Sequence, residues 1–135
     1  APPIKTKKGW VLFYHGQKEA FSSKGVRTEN TVPTPKIGII AEVQNSISLR
    51  SALNVWETTM SADLDNFLGY SPAKAKIAEF SDNQYKGTTI RYINFPYPDM
   101  ALDYSIVSAP SGLNYLVISS SREAIYMIID KLISI

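Results

Sequence analysis

Leu113-Asn-Tyr-Leu-Val-Ile-Ser-Ser-Ser-Arg-Glu-Ala-Ile-Tyr-Met-Ile-Ile-Asp-Lys-Leu-Ile-Ser-Ile135 carries two periodicities in succession, and the fold follows from them. Residues 113–119 are a short apolar run bounded by turn residues, which is the signal of a buried strand. Ile125, Ile128, Ile129 and Leu132 then recur at i, i+3, i+4 and i+7, the stripe of an amphipathic helix with one buried face. Between them, Ser120 and Glu123 stand three apart. That spacing predicts a capping box, in which hydroxyl and carboxylate satisfy two backbone N–H groups reciprocally.

A similar unit lies upstream. Residues 36–43, Lys-Ile-Gly-Ile-Ile-Ala-Glu-Val, read as a continuous apolar strand, central rather than at an edge. Asn45 or Ser46 caps a helix whose stripe is Leu49, Leu53, Trp56 and Met60. Ser61 opens a second short helix with Asp63 and Asp65 in its first turn, where the helix dipole favours anions, and Gly69 is placed to end it. Residues 10–14 form a further strand, and 22–36 a polar loop punctuated by Gly25, Pro33 and Pro35.

The stretch between the two units reads as a meander. Strands are predicted at 76–80, 88–95 and 101–107, with turns at 81–84, 96–99 and 109–112. In the third strand Leu102, Tyr104 and Ile106 alternate with Asp103 and Ser105, so one face is expected in the core and the other in solvent. The expected fold is α+β: an antiparallel sheet with two to three helices packed mainly on one face. Residues 1–9 are expected to be a flexible tail and residues 10–135 one domain.

Composition narrows function by exclusion. The formal net charge is +2, and no run of five or six like charges exists, so nucleic acid is not an expected partner. Lys5, Lys7 and Lys8 form the densest basic cluster and read as a solvated tail, with a segment beside a membrane as the alternative. The absence of cysteine removes disulfides, thiol catalysis and thiolate metal sites. No apolar run approaches the ~18 residues of a transmembrane helix. The start Ala1-Pro2-Pro3, without Met, is expected to follow a removed signal or anchor, or to be a trimmed end.

Candidate sites are few. His15, the one histidine, has no spacing partner for metal or base chemistry, and no G-x-S-x-G elbow accompanies any serine. Asp63 and Asp65 are first-turn dipole partners, and Asp82-Asn83 reads as a turn rather than a calcium loop. No catalytic residue, metal ligand or cofactor is therefore assigned. Ser120, Ser121 and Arg122, at a strand-to-helix junction, could hold an anion; plain capping competes, and Glu123 opposes an anion there. Arg91-Tyr-Ile-Asn-Phe-Pro-Tyr-Pro-Asp-Met100 is the most suggestive segment. Its prolines stiffen a loop whose aromatics lose little entropy on binding, so Arg91, Tyr92, Phe95 and Tyr97 are candidate contacts for a partner protein or a sugar ring. The competing reading folds Phe95 and Tyr97 back onto the sheet.

Pro35-Lys-Ile-Gly-Ile-Ile-Ala-Glu-Val, Ala52-Leu53 with Trp56-Glu57, Tyr85-Lys-Gly87 before a strand, and Tyr115-Leu-Val-Ile-Ser-Ser-Ser-Arg-Glu123 leading into a helix occur in a fixed order. This order resembles uncharacterised bacterial domains carried behind a membrane anchor. The resemblance spans residues 35–135 and leaves out the first 34. It implies an extracytoplasmic setting, no enzyme activity and no particular ligand residues. The function expected is an interaction or assembly domain that takes a protein partner or self-associates and meets the membrane only through an anchor outside this chain. A small-ligand or glycan-binding module using the aromatic loop is the alternative.

Overall fold

The structure, a computed structural model, describes the backbone of residues 4–6, 9–15, 35–68, 79–98 and 100–135, and the side chains of 36–68, 79–98 and 100–135. Among them run seven strands and four helices: β1 (Ile4–Thr6), β2 (Gly9–His15), β3 (Pro35–Val43), α1 (Ser46–Trp56), α2 (Met60–Asp63), α3 (Asp65–Leu68), β4 (Ser81–Tyr85), β5 (Thr88–Asn94), β6 (Ala101–Ser108), β7 (Asn114–Ser119) and α4 (Arg122–Leu132). The strands form one sheet in the order β1-β2-β3-β7-β6-β5-β4. Every pairing is antiparallel. Two meanders, β1–β3 and β4–β7, thus meet at a central β3–β7 seam, where Gly38 faces Ser119 and Val43 faces Asn114. The α+β class holds.

The helices divide between the two faces instead of lying mainly on one. On the first face, Leu53 of α1, Met60 of α2 and Leu68 of α3 are buried with Ile93, Leu102, Tyr104 and Ile118. On the second, Ile125, Ile128, Ile129 and Leu132 of α4 are buried with Ile90, Val107 and Val117. At roughly 1.5–3 kcal/mol for each fully buried aliphatic side chain, the α4 stripe alone is a large part of what holds this helix down. The one-face expectation fails at β6. Its residues 101–105 are buried on both sides, Asp103 at 1% and Ser105 at 2% exposure. The alternation was real, but its polar side is built of small residues (Ala101, Ser105, and Ser119 beside them), and a helix can close over those. Gly38 serves the same approach: a Cβ there would stand 2.5 Å from Ile128 Cδ1.

Local chemistry sets several boundaries. Asn45 caps α1, its Oδ1 accepting from Ser48 N at 3.0 Å. Residues 81–84, expected as a turn, are strand β4. The reversal is instead at Lys86 and Gly87, with φ of +48° and +78°. Positive φ at both central residues is the mirror-image turn that matches the twist of a two-residue hairpin. The second short helix begins at Met60 and is broken at Leu64 into α2 and α3. Asp63 accepts from Trp56 Nε1 (2.6 Å) and Thr59 Oγ1 (2.9 Å), tying α2 back to α1.

Part of the segment expected as a tail is strand, since Ile4–Thr6 pairs with Gly9–His15. The predicted 10–14 strand lies within β2. Residues 22–34, Gly69 and 76–78 lie outside the described residues, as do Lys7 and Lys8 and the side chains of Lys5, Trp10, Phe13, Tyr14 and His15.

Candidate functional site

Beyond Asn94 the chain leaves β5, turns and re-enters as β6. Phe95 N donates to Met100 O at 3.0 Å, and Met100 N to Tyr97 O at 3.3 Å, so the turn is closed by its own backbone. Phe95 is buried at 5% exposure and Tyr97 half-buried, both packed in the first-face core. The fold-back reading is thus right for Phe95, while Tyr97 keeps part of its surface in solvent. Ala101 N donates to Ser120 O at 3.1 Å, drawing the turn against the start of α4. A cleft of about 330 Å³ results, lined by Asn94, Phe95, Tyr97, Met100, Ala101, Ser121, Arg122 and Glu123. It joins the aromatic loop and the serine–arginine junction, two segments that the sequence suggested separately.

The three serines are committed to backbone. Ser119 Oγ donates to Ser121 O (2.8 Å) and accepts from Ser121 N (3.1 Å). Ser120 Oγ accepts from Ile37 N at 2.9 Å, and Ser120 N donates to Ile37 O at 2.9 Å, which extends the β3–β7 seam. Ser121 is the helix cap, its Oγ accepting from Ala124 N at 3.1 Å. The predicted capping box therefore gives way to a simple cap one residue later: Ser120 belongs to the sheet, and the position three beyond Ser121 is Ala124, with Glu123 in the first turn. Of the anion candidates, Ser120 and Ser121 are buried, and only Arg122 is exposed. Its guanidinium carbon lies 4.7 Å from the centre of the Tyr92 ring, a cation–π contact across the top of β5.

Arg91 departs from the other aromatic-loop candidates. Strand alternation puts it on the first face with Ile93 and Phe95, away from Tyr92, and there it makes a forked pair with Glu57 (Nε to Oε1 and Nη2 to Oε2, both 2.8 Å) and reaches Asp82 Oδ1 at 2.9 Å. Tyr104 OH also donates to Glu57. Hydrogen bonds from Arg91 hold the Glu57 carboxyl below its ordinary value against the opposing effect of burial. Burial, then the Glu57 charge, pushes Tyr104 up. Arg91 is held in its charged form by Glu57. This network fastens the end of α1 to β4, β5 and β6 beside a cavity of about 410 Å³ lined by Arg50, Asn54, Glu57, Asp82, Thr89, Arg91 and Tyr104. Within it Arg91 favours the ionised form of Glu57, and burial favours the neutral form of Tyr104.

Asp103 is the residue the sequence reading missed. It sits on β6 between Tyr92 of β5 and Ser119 of β7, with both carboxylate oxygens buried and without a hydrogen-bond partner. Burial pushes it up to about 7, and the Arg122 charge pulls it partly back. The available signal was an acid inside a strand whose same-side neighbours, Ala101 and Ser105, are small.

Among the described residues no three His, Cys, Asp or Glu side chains converge as metal ligands, and no helix is long and apolar enough to cross a membrane. Comparison with protein-family models, curated proteins and solved structures finds no match to this chain.

Proposed function

We propose that the chain is a non-enzymatic interaction domain that grips a segment of a protein partner in the cleft between the β5–β6 turn and the first turn of α4. The observation that carries this reading is the convergence of Tyr97, Met100 and Arg122 on one cleft. Aromatic residues, Met and Arg are the types enriched at protein interfaces, and Tyr and Arg among those that dominate binding energy. Buried Phe95 and the self-closed turn hold Tyr97 with little left to order on binding. The low charged fraction, 19%, and the resemblance to anchored bacterial domains support an extracytoplasmic setting.

Selection from a displayed peptide library tests the reading. Enriched peptides should bind the intact chain and lose at least about tenfold in affinity with Tyr97→Ala or Arg122→Ala, as hot-spot truncations do. Peptides that bind both variants as well as the unaltered chain would refute it. The second reading, a small-ligand or glycan module, is favoured by one observation: a cleft of about 330 Å³ falls at the lower end of the small-ligand range. A thermal shift with an oligosaccharide, in the absence of selected peptides, would establish that reading in place of the first.

A further inference from the structure

Asp103 and Arg122 both neighbour one aromatic ring, that of Tyr92. Tyr92 is the cross-strand neighbour of Asp103, so their side chains leave the sheet on the same face, and Arg122 lies over the Tyr92 ring at 4.7 Å. Both oxygens of Asp103 lack partners under the start of α4. The groups placed around that end of the sheet are Tyr92 on β5, Ser119 on β7, Lys36 on the same face of β3, and Ser121, Arg122 and Glu123 at the head of α4. The serines are engaged with backbone, and Arg122 is the charge that acts on Asp103. A neutral carboxyl can remain in such a place at modest cost, but a carboxylate cannot remain unpaired there. The cation that acts on it is the Arg122 guanidinium, whose present contact is a cation–π one of about 0.5–1 kcal/mol at an exposed site.

We propose that ionisation of Asp103 draws the Arg122 guanidinium off the Tyr92 ring and inward over β6, so that pH sets the wall of the cleft. The arginine faces the cleft while Asp103 is protonated and turns away from it once Asp103 is charged. As a regulation of the cleft this rests on the binding role given above, whereas the movement itself needs no ligand.

Nuclear magnetic resonance of the intact, isotopically labelled chain between pH 5 and 9 tests the movement without any partner. At low pH the Arg122 δ protons should show the upfield shift imposed by the Tyr92 ring. They should lose it with the same midpoint as the Asp103 carboxyl carbon. In Asp103→Asn they should keep the low-pH position throughout. Arg122 resonances that stay fixed while Asp103 titrates overturn the proposal, as do resonances that move with an unchanged midpoint in Asp103→Asn. Should that variant fail to fold, Arg122→Gln decides. The Asp103 midpoint should rise by at least about half a unit once the favourable charge is gone, and an unchanged midpoint refutes the coupling. Failure of peptide selection leaves the movement intact, and a motionless Arg122 leaves the binding role intact.

Discussion

At the residue scale, Asp103 couples stability to pH, because its buried carboxyl has no hydrogen-bond partner. A carboxyl raised from 3.8 to about 7 on folding binds a proton in the folded state that the unfolded chain has already released. Its contribution is fully present below the unfolded value and is lost as pH rises through the folded one. Three pH units correspond to about 4 kcal/mol as a ceiling. Asp103→Asn, which keeps the shape and cannot ionise, should therefore resemble the unaltered chain near pH 4 and exceed it in thermal midpoint near pH 8.5. A gap that narrows with rising pH would show that Asp103 is not protonated in the fold. Sequence alternation correctly separated Asp103 from the Leu102–Tyr104–Ile106 side. It could not show that α4 covers the other side, because the covering helix is specified some twenty positions later in the chain.

At the element scale, α4 was the most legible part. Its stripe is local and strictly periodic, and all four predicted positions are buried. Its cap was misplaced by one residue, because three consecutive serines offer equivalent hydroxyls and only the distant Ile37 claims Ser120. Polar β4 was misread as a turn for a related reason: Ser81, Asp82 and Asn83 have turn chemistry, yet as an edge strand they need bury little. The same helix supplies a test of packing. Gly38→Ala places a methyl against Ile128 Cδ1, the movable end of a side chain. The substitution should destabilise by about 1–3 kcal/mol in urea unfolding, as overpacking does. Adding Ile128→Val should recover part of the loss, and strict additivity of the two changes would deny the contact.

For the whole molecule, the sheet carries a helical layer on each face. On the second face α4 is held by aliphatic burial and by Asp130, which accepts from Lys86 Nζ (2.6 Å) and Tyr85 OH (3.0 Å) of the β4–β5 hairpin. On the first, the α1–α3 array adds a charged clasp of Glu57 with Arg91 and Tyr104. None of these partners is near another in sequence, so no local pattern could have joined them. Glu57→Gln removes the charge and keeps the size. Hydrogen bonds to charged groups contribute about 1.5–3 kcal/mol, so a loss of about 2 kcal/mol is expected at pH 7 by urea denaturation. Because folding lowers the Glu57 value, the stabilisation is complete above about 4.5 and fades as pH falls through the folded value. The gap between the variant and the unaltered chain should shrink steadily as pH falls below 4.5, and a difference independent of pH would mean that shape alone holds α1.

The central seam between β3 and β7 has a consequence for synthesis. Strand β3 occupies residues 35–43 and its partner 114–119. During translation the edge of β3 facing the seam has no native mate until the second meander has been made. Closing a loop of that length carries an entropic cost that grows only slowly with length, but it precedes any reward from the contacts it permits. A ribosome-bound chain stopped before residue 114 would therefore expose an apolar strand edge, and the centre of the finished sheet is the last place that the nascent protein can protect.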